Sequence, residues 1–305
     1  MVTATPTKEV ALRLIALILA FGLIAAQPVT AQTTPRAVIE DPAPDAKYPA
    51  RMEVIHVPSG GVNINGVVYV ASGPGPHPTF VFFHGLPGNE KNLDLAQAVR
   101  RAGWNAVTIN YRGSWGSPGA FRFAHNLEDA DAVLAFIRDP ANAQRLNIDA
   151  TRIALGGHSM GGWVTAETLA HENGVLGAVI ISAGDMGGFG LQGRQNRASV
   201  VSFMADNLET LAGASGESMA DELIAHGDEW SFATLAPKLV HRRLLVLYSD
   251  DFVKANSVAL IGAIKAAGGA ELQSVNVPTD HSWSDHRIAL ESLVINWLQS
   301  LPATP

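Results

Sequence analysis

Residues 152–163 read RIALGGHSMGGW. The first half, Arg152 to Gly156, is a short apolar run suited to a buried strand. From Met160 a helical pattern begins and continues through TAETLAHE. Between them lies Gly157-His158-Ser159-Met160-Gly161, a G-x-S-x-G pentad. A strand that turns at once into a helix forces the serine into a strained backbone and brings the helix close to the strand. Glycines two before and two after Ser159 remove the clash. The serine oxygen is then exposed at the carboxyl end of a sheet, beside a helix N-terminus that favours developing negative charge. Ser159 is therefore the candidate nucleophile.

The chain has 305 residues, 47% apolar and 16% charged, enough for one large domain with an insertion. The net charge of −7 and the lack of a basic stripe argue against a nucleic-acid partner. With no cysteine, disulfides and thiolate metal sites are excluded. Residues 1–31 read as a secretory signal peptide. Lys8 and Arg13 precede an apolar run from Leu14 to Ala26, and Val29-Thr30-Ala31 offers small residues for cleavage after Ala31. The run is shorter than the ~20 residues a membrane span needs, so no membrane anchor is expected after cleavage, and the destination is secreted or periplasmic in a bacterial cell. Residues 32–50, rich in proline and alanine, read as an extended leader.

From residue 51 the chain alternates strands and helices. Arg51–Val57 and Val62–Ala71 form a hairpin. Apolar strands follow at Thr79–Phe83, Asn105–Asn110, Arg152–Gly156, Leu176–Ser182, Leu244–Tyr248 and Leu272–Val277. Helices are expected at Leu93–Ala102, Leu127–Arg138, Val253–Ala267 and Arg287–Leu298. Strands that are apolar throughout and alternate with helices predict an α/β fold, with a mostly parallel central sheet and helices on both faces. The stretch 184–237 breaks the rhythm. It is too long for a plain crossover and reads as a small helical cap insertion, with helices over Ala198–Leu211 and Ser218–His226 after a glycine-rich start.

A serine hydroxyl needs a base within reach, and in a parallel sheet functional groups gather past the carboxyl ends of strands. His281 falls in the loop directly past the strand ending at Val277. It is favoured as general base over His286, which opens the last helix. Ser282 and Asp285 read as a cap for that helix. The Asp-His pairs in this stretch match no tight metal-ligand spacing, and no metal or cofactor is expected. Past Tyr248 come Asp250 and Asp251. Asp251 is the preferred acid to orient the imidazole, with Asp250 as the alternative and a helix cap as the competing role for either. Two backbone N–H groups are needed for an oxyanion. Met160 supplies one; Leu86, in the loop His84-Gly85-Leu86-Pro87-Gly88, supplies the other, because Pro87 has none.

The segments FFHGLPG, NYRGSWGSPG, GGHSMGG, LLVLYSDD and PTDHSW, with the order Ser159, Asp251, His281, resemble the α/β-hydrolase superfamily over roughly residues 51–300. Within it, the NYRGSWGSPG loop and the segment leading into the pentad from Asp149 are similar to prolyl-oligopeptidase-like catalytic domains and dienelactone-hydrolase-like esterases. The resemblance implies hydrolysis of an ester or amide through an acyl-enzyme. The 305 residues leave no room for the β-propeller of prolyl oligopeptidases, and the nucleophile here is serine rather than the cysteine of dienelactone hydrolases. A serine esterase is the leading expectation, acting on a small-molecule ester. A serine exopeptidase acting on short peptides is the alternative, with Glu209, Glu217, Glu222, Asp228 or Glu229 holding the peptide amine. His158 is expected to pack behind the serine. Arg112 is expected to hold its own loop rather than bind a substrate carboxylate. Trp115 and Phe121 are candidates to edge the pocket, and Met186, Phe189 and Trp230 to line an apolar acyl site, with ordinary packing as the competing role.

Overall fold

The computed structural model of the protein describes residues 33–303. The expected signal peptide lies outside the described residues. Among its described residues, the leader carries one turn of helix, α1 (Arg36–Ile39), and otherwise no regular structure. Arg101 Nε donates to the Ala37 carbonyl at 2.5 Å, and Ala37 and Val38 pack against the core, so this stretch is tied to the domain rather than merely extended.

Among the described residues, eight strands form one sheet: β1 (Arg51–Ser59), β2 (Val62–Val70), β3 (His77–Phe83), β4 (Asn105–Ile109), β5 (Ile148–His158), β6 (Ala178–Ile181), β7 (Leu244–Ser249) and β8 (Leu272–Val277). Their order is β1-β2-β4-β3-β5-β6-β7-β8. The β1–β2 hairpin turns on Gly60 and Gly61, both at positive φ, as a two-residue hairpin requires. β2 runs antiparallel to both neighbours, and β4 through β8 are parallel. The apolar strands are explained by cover on both faces. In β3, Phe80 and Phe82 point into one core while Val81 and Phe83 point into the other. Leu244 and Val246 of β7 likewise oppose Leu245 and Leu247. One face is covered by α2 (Leu93–Arg101) and α11 (Arg287–Ser300). The other is covered by α3 (Phe123–Arg138), α5 (Met160–His171) and α10 (Lys254–Ala266). A short α4 (Pro140–Leu146), with Asp139 as its N-cap, precedes β5.

α3 starts at Phe123, four residues before the expected Leu127. The Glu222 carboxylate accepts from the N–H groups of Phe123 and Ala124, a cap supplied from 99 residues away. The stretch between β6 and β7 is helical: α6 (Met186–Gln195), α7 (Arg197–Ala205), α8 (Gly216–His226) and α9 (Phe232–Leu239). Its glycine-rich start is thus a helix. Glycine weakens a helix by about 1 kcal/mol relative to alanine. Here it permits close contact instead. A Cβ at Gly190 would overlap the Leu223 carbonyl of α8, and one at Gly187 would overlap the Ser231 nitrogen. Pro237 lies inside α9, so the helical segment runs past that residue to Leu239. Met204, Leu223, Trp230 and Phe232 of this segment join the core on the α5 side.

Candidate active site

Ser159 joins β5 to α5 with φ +58° and ψ −123°, a conformation that costs on the order of 1–3 kcal/mol for a residue with a side chain. The glycines around it meet backbone directly. A Cβ at Gly157 would overlap the Gly161 carbonyl, and one at Gly161 would overlap the Phe83 carbonyl of β3. The side chain faces the loop after β3: a Cβ at Gly85 would lie 2.9 Å from Ser159 Cβ and 3.4 Å from its Oγ. Met160 opens α5, where the first N–H groups have no acceptor within the helix.

The loop holding Leu86 is pinned by its carbonyls. Tyr111 Oη donates to the His84 carbonyl at 3.3 Å, and His84 Nδ1 to the Gly85 carbonyl at 2.8 Å. Trp115 Nε1 and Thr210 Oγ1 both donate to the Pro87 carbonyl, at 2.8 and 3.1 Å. In a planar trans peptide the N–H points opposite to the C=O. Fixing the Gly85 carbonyl toward His84 therefore turns the Leu86 N–H away from it. Sequence reasoning missed His84, Tyr111 and Thr210 in this role, and no local pattern marks them. Trp115, expected at the pocket edge, acts here as a brace.

His281 and Asp251 meet. His281 Nδ1 donates to Asp251 Oδ2 at 2.6 Å, with the carboxyl side chain only 4% exposed. Burial pushes the Asp251 carboxyl up. The hydrogen bonds from His281 and Ser249, the charge of His281 and the Val253 N–H outweigh it and hold the group below the usual carboxylate range. Asp250 is turned outward, paired with Lys254 Nζ at 2.5 Å and with Asn276 at 3.1 Å. No hydrogen bond joins Ser159 Oγ to the imidazole among the described residues; in resting enzymes such contacts tighten when substrate binds.

Behind this pair runs a buried chain of donors. Trp283 Nε1 donates to Ser182 Oγ at 3.0 Å, Ser182 and Ser249 hydroxyls bond at 2.7 Å, and Ser249 Oγ donates to Asp251 Oδ2 at 2.7 Å. An indole N–H can only donate and an ionised carboxylate can only accept. The direction of the whole chain follows: Trp283 to Ser182 to Ser249 to Asp251. It links the ends of β6 and β7 to the loop that carries His281. His158 secures the same loop from β5. Its Nε2 donates to the His281 carbonyl at 2.8 Å and its ring lies 4.7 Å from the His281 ring. Burial, then the charge of His281, lowers the His158 pKa to about 3, so the ring is neutral. Burial likewise lowers that of His84 to about 4.

The remaining candidates separate. Ser282 and Asp285 do not cap α11, which begins at Arg287 after His286 with no side-chain cap. Asp285 instead accepts from Thr279 Oγ1 and from His286 at 2.8 Å, because the loop folds back on itself before the helix starts. Arg112 is buried and bonds Asp129 at 2.7 Å and Glu128 at 2.5 Å, which ties its loop to α3. Phe121, Met186 and Trp230 are buried in the core. Phe189 is only half-buried and stacks on Phe203. Of the acidic residues of the insertion, Glu222 caps α3, Asp228 pairs with Arg194 and Glu229 with His226. Glu209 accepts from Asn89 at 3.1 Å, next to the loop that holds Leu86. A cavity of about 230 Å³ opens between β2, β4 and Lys91, on the His84 side of that loop, and Ser159, Asp251 and His281 do not line it.

Among solved structures, the chain is similar to the Pyrobaculum calidifontis esterase, at 18% identity and a TM-score of 0.61, over 84% of this chain and 87% of that one. It is also similar to the Pyrococcus horikoshii acylaminoacyl peptidase, at 16% identity and a TM-score of 0.62, over 82% of this chain but only 41% of the peptidase. At these identities the likeness is one of fold. A search of curated proteins finds no match. The sequence model of the alpha/beta hydrolase family matches residues 80–291, from β3 into α11, and with the sheet and the strand–serine–helix joint in place the chain belongs to that family.

Proposed function

We propose that the chain is an exported serine hydrolase that cleaves carboxylic esters through Ser159, His281 and Asp251. The observation that carries this reading is the juxtaposition at one sheet edge of a positive-φ serine packed on Gly85 with a 2.6 Å His281–Asp251 pair. His281 Nε2 takes the Ser159 proton as Oγ attacks the ester carbonyl carbon. The Leu86 and Met160 N–H groups bind the oxyanion. Asp251 accepts the Nδ1–H and stabilises the imidazolium. The tetrahedral intermediate collapses, His281 returns the proton to the departing alcohol, and water then hydrolyses the acyl-enzyme by the same proton path. Export follows from the signal-like residues 1–31. No helix among the described residues is long and apolar enough to cross a membrane.

The test is hydrolysis of p-nitrophenyl acetate by wild type and Ser159→Ala. Removal of the nucleophile is expected to lower kcat by about 10⁴-fold or more. Equal rates in the two proteins overturn the reading. A peptidase reading rests on Glu209, an acidic residue of the insertion bonded to Asn89 beside the Leu86 loop, as the holder of a peptide amine. Turnover of aminoacyl p-nitroanilides that is lost in Glu209→Gln would favour it over the esterase.

A further inference from the structure

Burial usually claims phenylalanine, yet Phe252 keeps 65% of its surface exposed and Phe203 keeps 39%. Both lie at the working edge of the sheet. Phe252 directly follows Asp251, and its ring is 4.8 Å from the His281 ring. Phe203, on α7, is 6.3 Å from Phe252. Phe189, on α6, stacks on Phe203 at 5.6 Å with the planes 15° apart. The far end of the row returns to the serine. A Cβ at Gly184 would lie 3.5 Å from the Phe189 ring, and the Gly184 N–H donates to the Ser159 carbonyl at 3.3 Å. Three rings from three separate elements thus form an arc that starts at the base and ends against Gly184, which is bonded to the Ser159 backbone.

Contiguous exposed aromatic surface marks a place that a ligand covers. Ring centroids 4.5–7 Å apart, stacked or tilted, are the geometry in which a further aromatic ring gains offset or edge contacts beyond simple burial. The arc meets the imidazole, and the imidazole returns the proton to the alcohol oxygen. A group lying on Phe252 and Phe203 is therefore on the alcohol side of the ester.

We infer that the arc Phe252–Phe203–Phe189 recognises an aromatic ring on the alcohol portion of the substrate, so that the preferred substrates are esters of arylmethyl-type alcohols. This rests on the serine-esterase reading and names its substrate class.

The experiment measures kcat and KM for ethyl acetate, benzyl acetate and ethyl phenylacetate, with wild type, Phe203→Ala, Phe252→Leu and Ser159→Ala. Benzyl acetate is expected to exceed ethyl acetate by about tenfold or more in kcat/KM, mainly through KM. That ratio is expected to fall below about threefold in Phe203→Ala and Phe252→Leu. Using a ratio within each variant removes any general loss from imperfect folding or a disturbed base. The inference is overturned by a wild-type ratio near one, by a ratio that survives both substitutions, or by an advantage confined to ethyl phenylacetate. Ester hydrolysis that persists in Ser159→Ala overturns the esterase reading itself, a distinct result because it is read without reference to the aromatic arm.

Discussion

The joint at Ser159 and the contact between α6 and α8 use glycine for the same purpose and differ in what they support. At the first, Gly157 and Gly161 let the start of α5 touch β5 and β3, and the close approach holds a serine at positive φ. At the second, Gly190 lets two helices meet backbone to backbone, with the Leu223 carbonyl where a Cβ would stand. One contact positions the proposed nucleophile; the other positions a wall carrying Phe189 and Phe203. The edge of β5–β8 is built from buried, directed hydrogen bonds, whereas the insertion offers the partly exposed rings of Phe203 and Phe189. The proposed chemistry thus lies where polar side chains are buried and bonded to one another, and the proposed recognition where apolar surface is left uncovered.

Substitutions at the two regions separate these roles. The largest effect is expected from Asp251→Asn, which leaves His281 without an ionised partner. It should lower kcat/KM for p-nitrophenyl acetate by about 10³–10⁴-fold, while Asp250→Asn stays within about threefold. A reversed order would move the acid to the outward carboxyl. Next comes Gly161→Ala, whose methyl meets the Phe83 carbonyl, a backbone group that cannot swing aside. It is expected to cost on the order of 4 kcal/mol in urea unfolding and to abolish labelling of Ser159 by a fluorophosphonate. Gly190→Ala should also destabilise, yet retain that labelling at 25 °C. Loss of labelling there would show that the insertion and the elbow are one unit, and the contrast would fail.

The pH response follows from His84 and His158, whose folded pKa values lie near 4 and 3, below the ordinary histidine value of 6.5. Below pH ~6.5 the unfolded chain takes up protons that the folded chain refuses. The stability these rings contribute is complete above that pH and is lost as pH falls toward 4 and 3. Between pH 7 and pH 5 each is expected to remove about 2 kcal/mol, and His158→Gln should reduce the slope of urea-derived stability over that interval. An unchanged slope would contradict the assignment. The lowered Asp251 carboxyl acts with the same sign, present above pH ~3.8 and lost below it, and so is separable. A smaller effect than that of Asp251→Asn is expected from Trp283→Phe, about tenfold in kcat from loss of one donor. If the chain from Trp283 to Asp251 acts as a unit, Ser249→Ala added to Trp283→Phe costs no more than the larger single change, whereas simple additivity would dismiss the relay.

Much of this was legible beforehand, and the exceptions have a common cause. The parallel sheet could be read because runs such as Phe80–Phe83 and Leu244–Leu247 are apolar at every position, which only a strand covered on both faces tolerates. Ser159, Asp251 and His281 could be nominated because each stands at or just past a strand end. The start of α3 was misplaced because its cap, Glu222, is remote in sequence. The expected cap at Ser282 and Asp285 failed because Thr279 and His286 occupy Asp285. The glycine-rich opening of the insertion reads as loop, since local propensity registers the cost of glycine but not the partner helix that it admits.

Residue types, hydrophobic runs and the G-x-S-x-G spacing by themselves determined the layer architecture, the order of the candidate catalytic residues and the position of the strained turn, because each depends on neighbours within a few residues. Only the tertiary structure set Asp251 rather than Asp250 against His281, turned the Leu86 N–H through the bond of His84 to the Gly85 carbonyl, and brought Phe189, Phe203 and Phe252 into one arc. Those outcomes depend on hydrogen-bond direction and ring contact between segments that only folding brings together, and such contacts leave no periodicity in the chain.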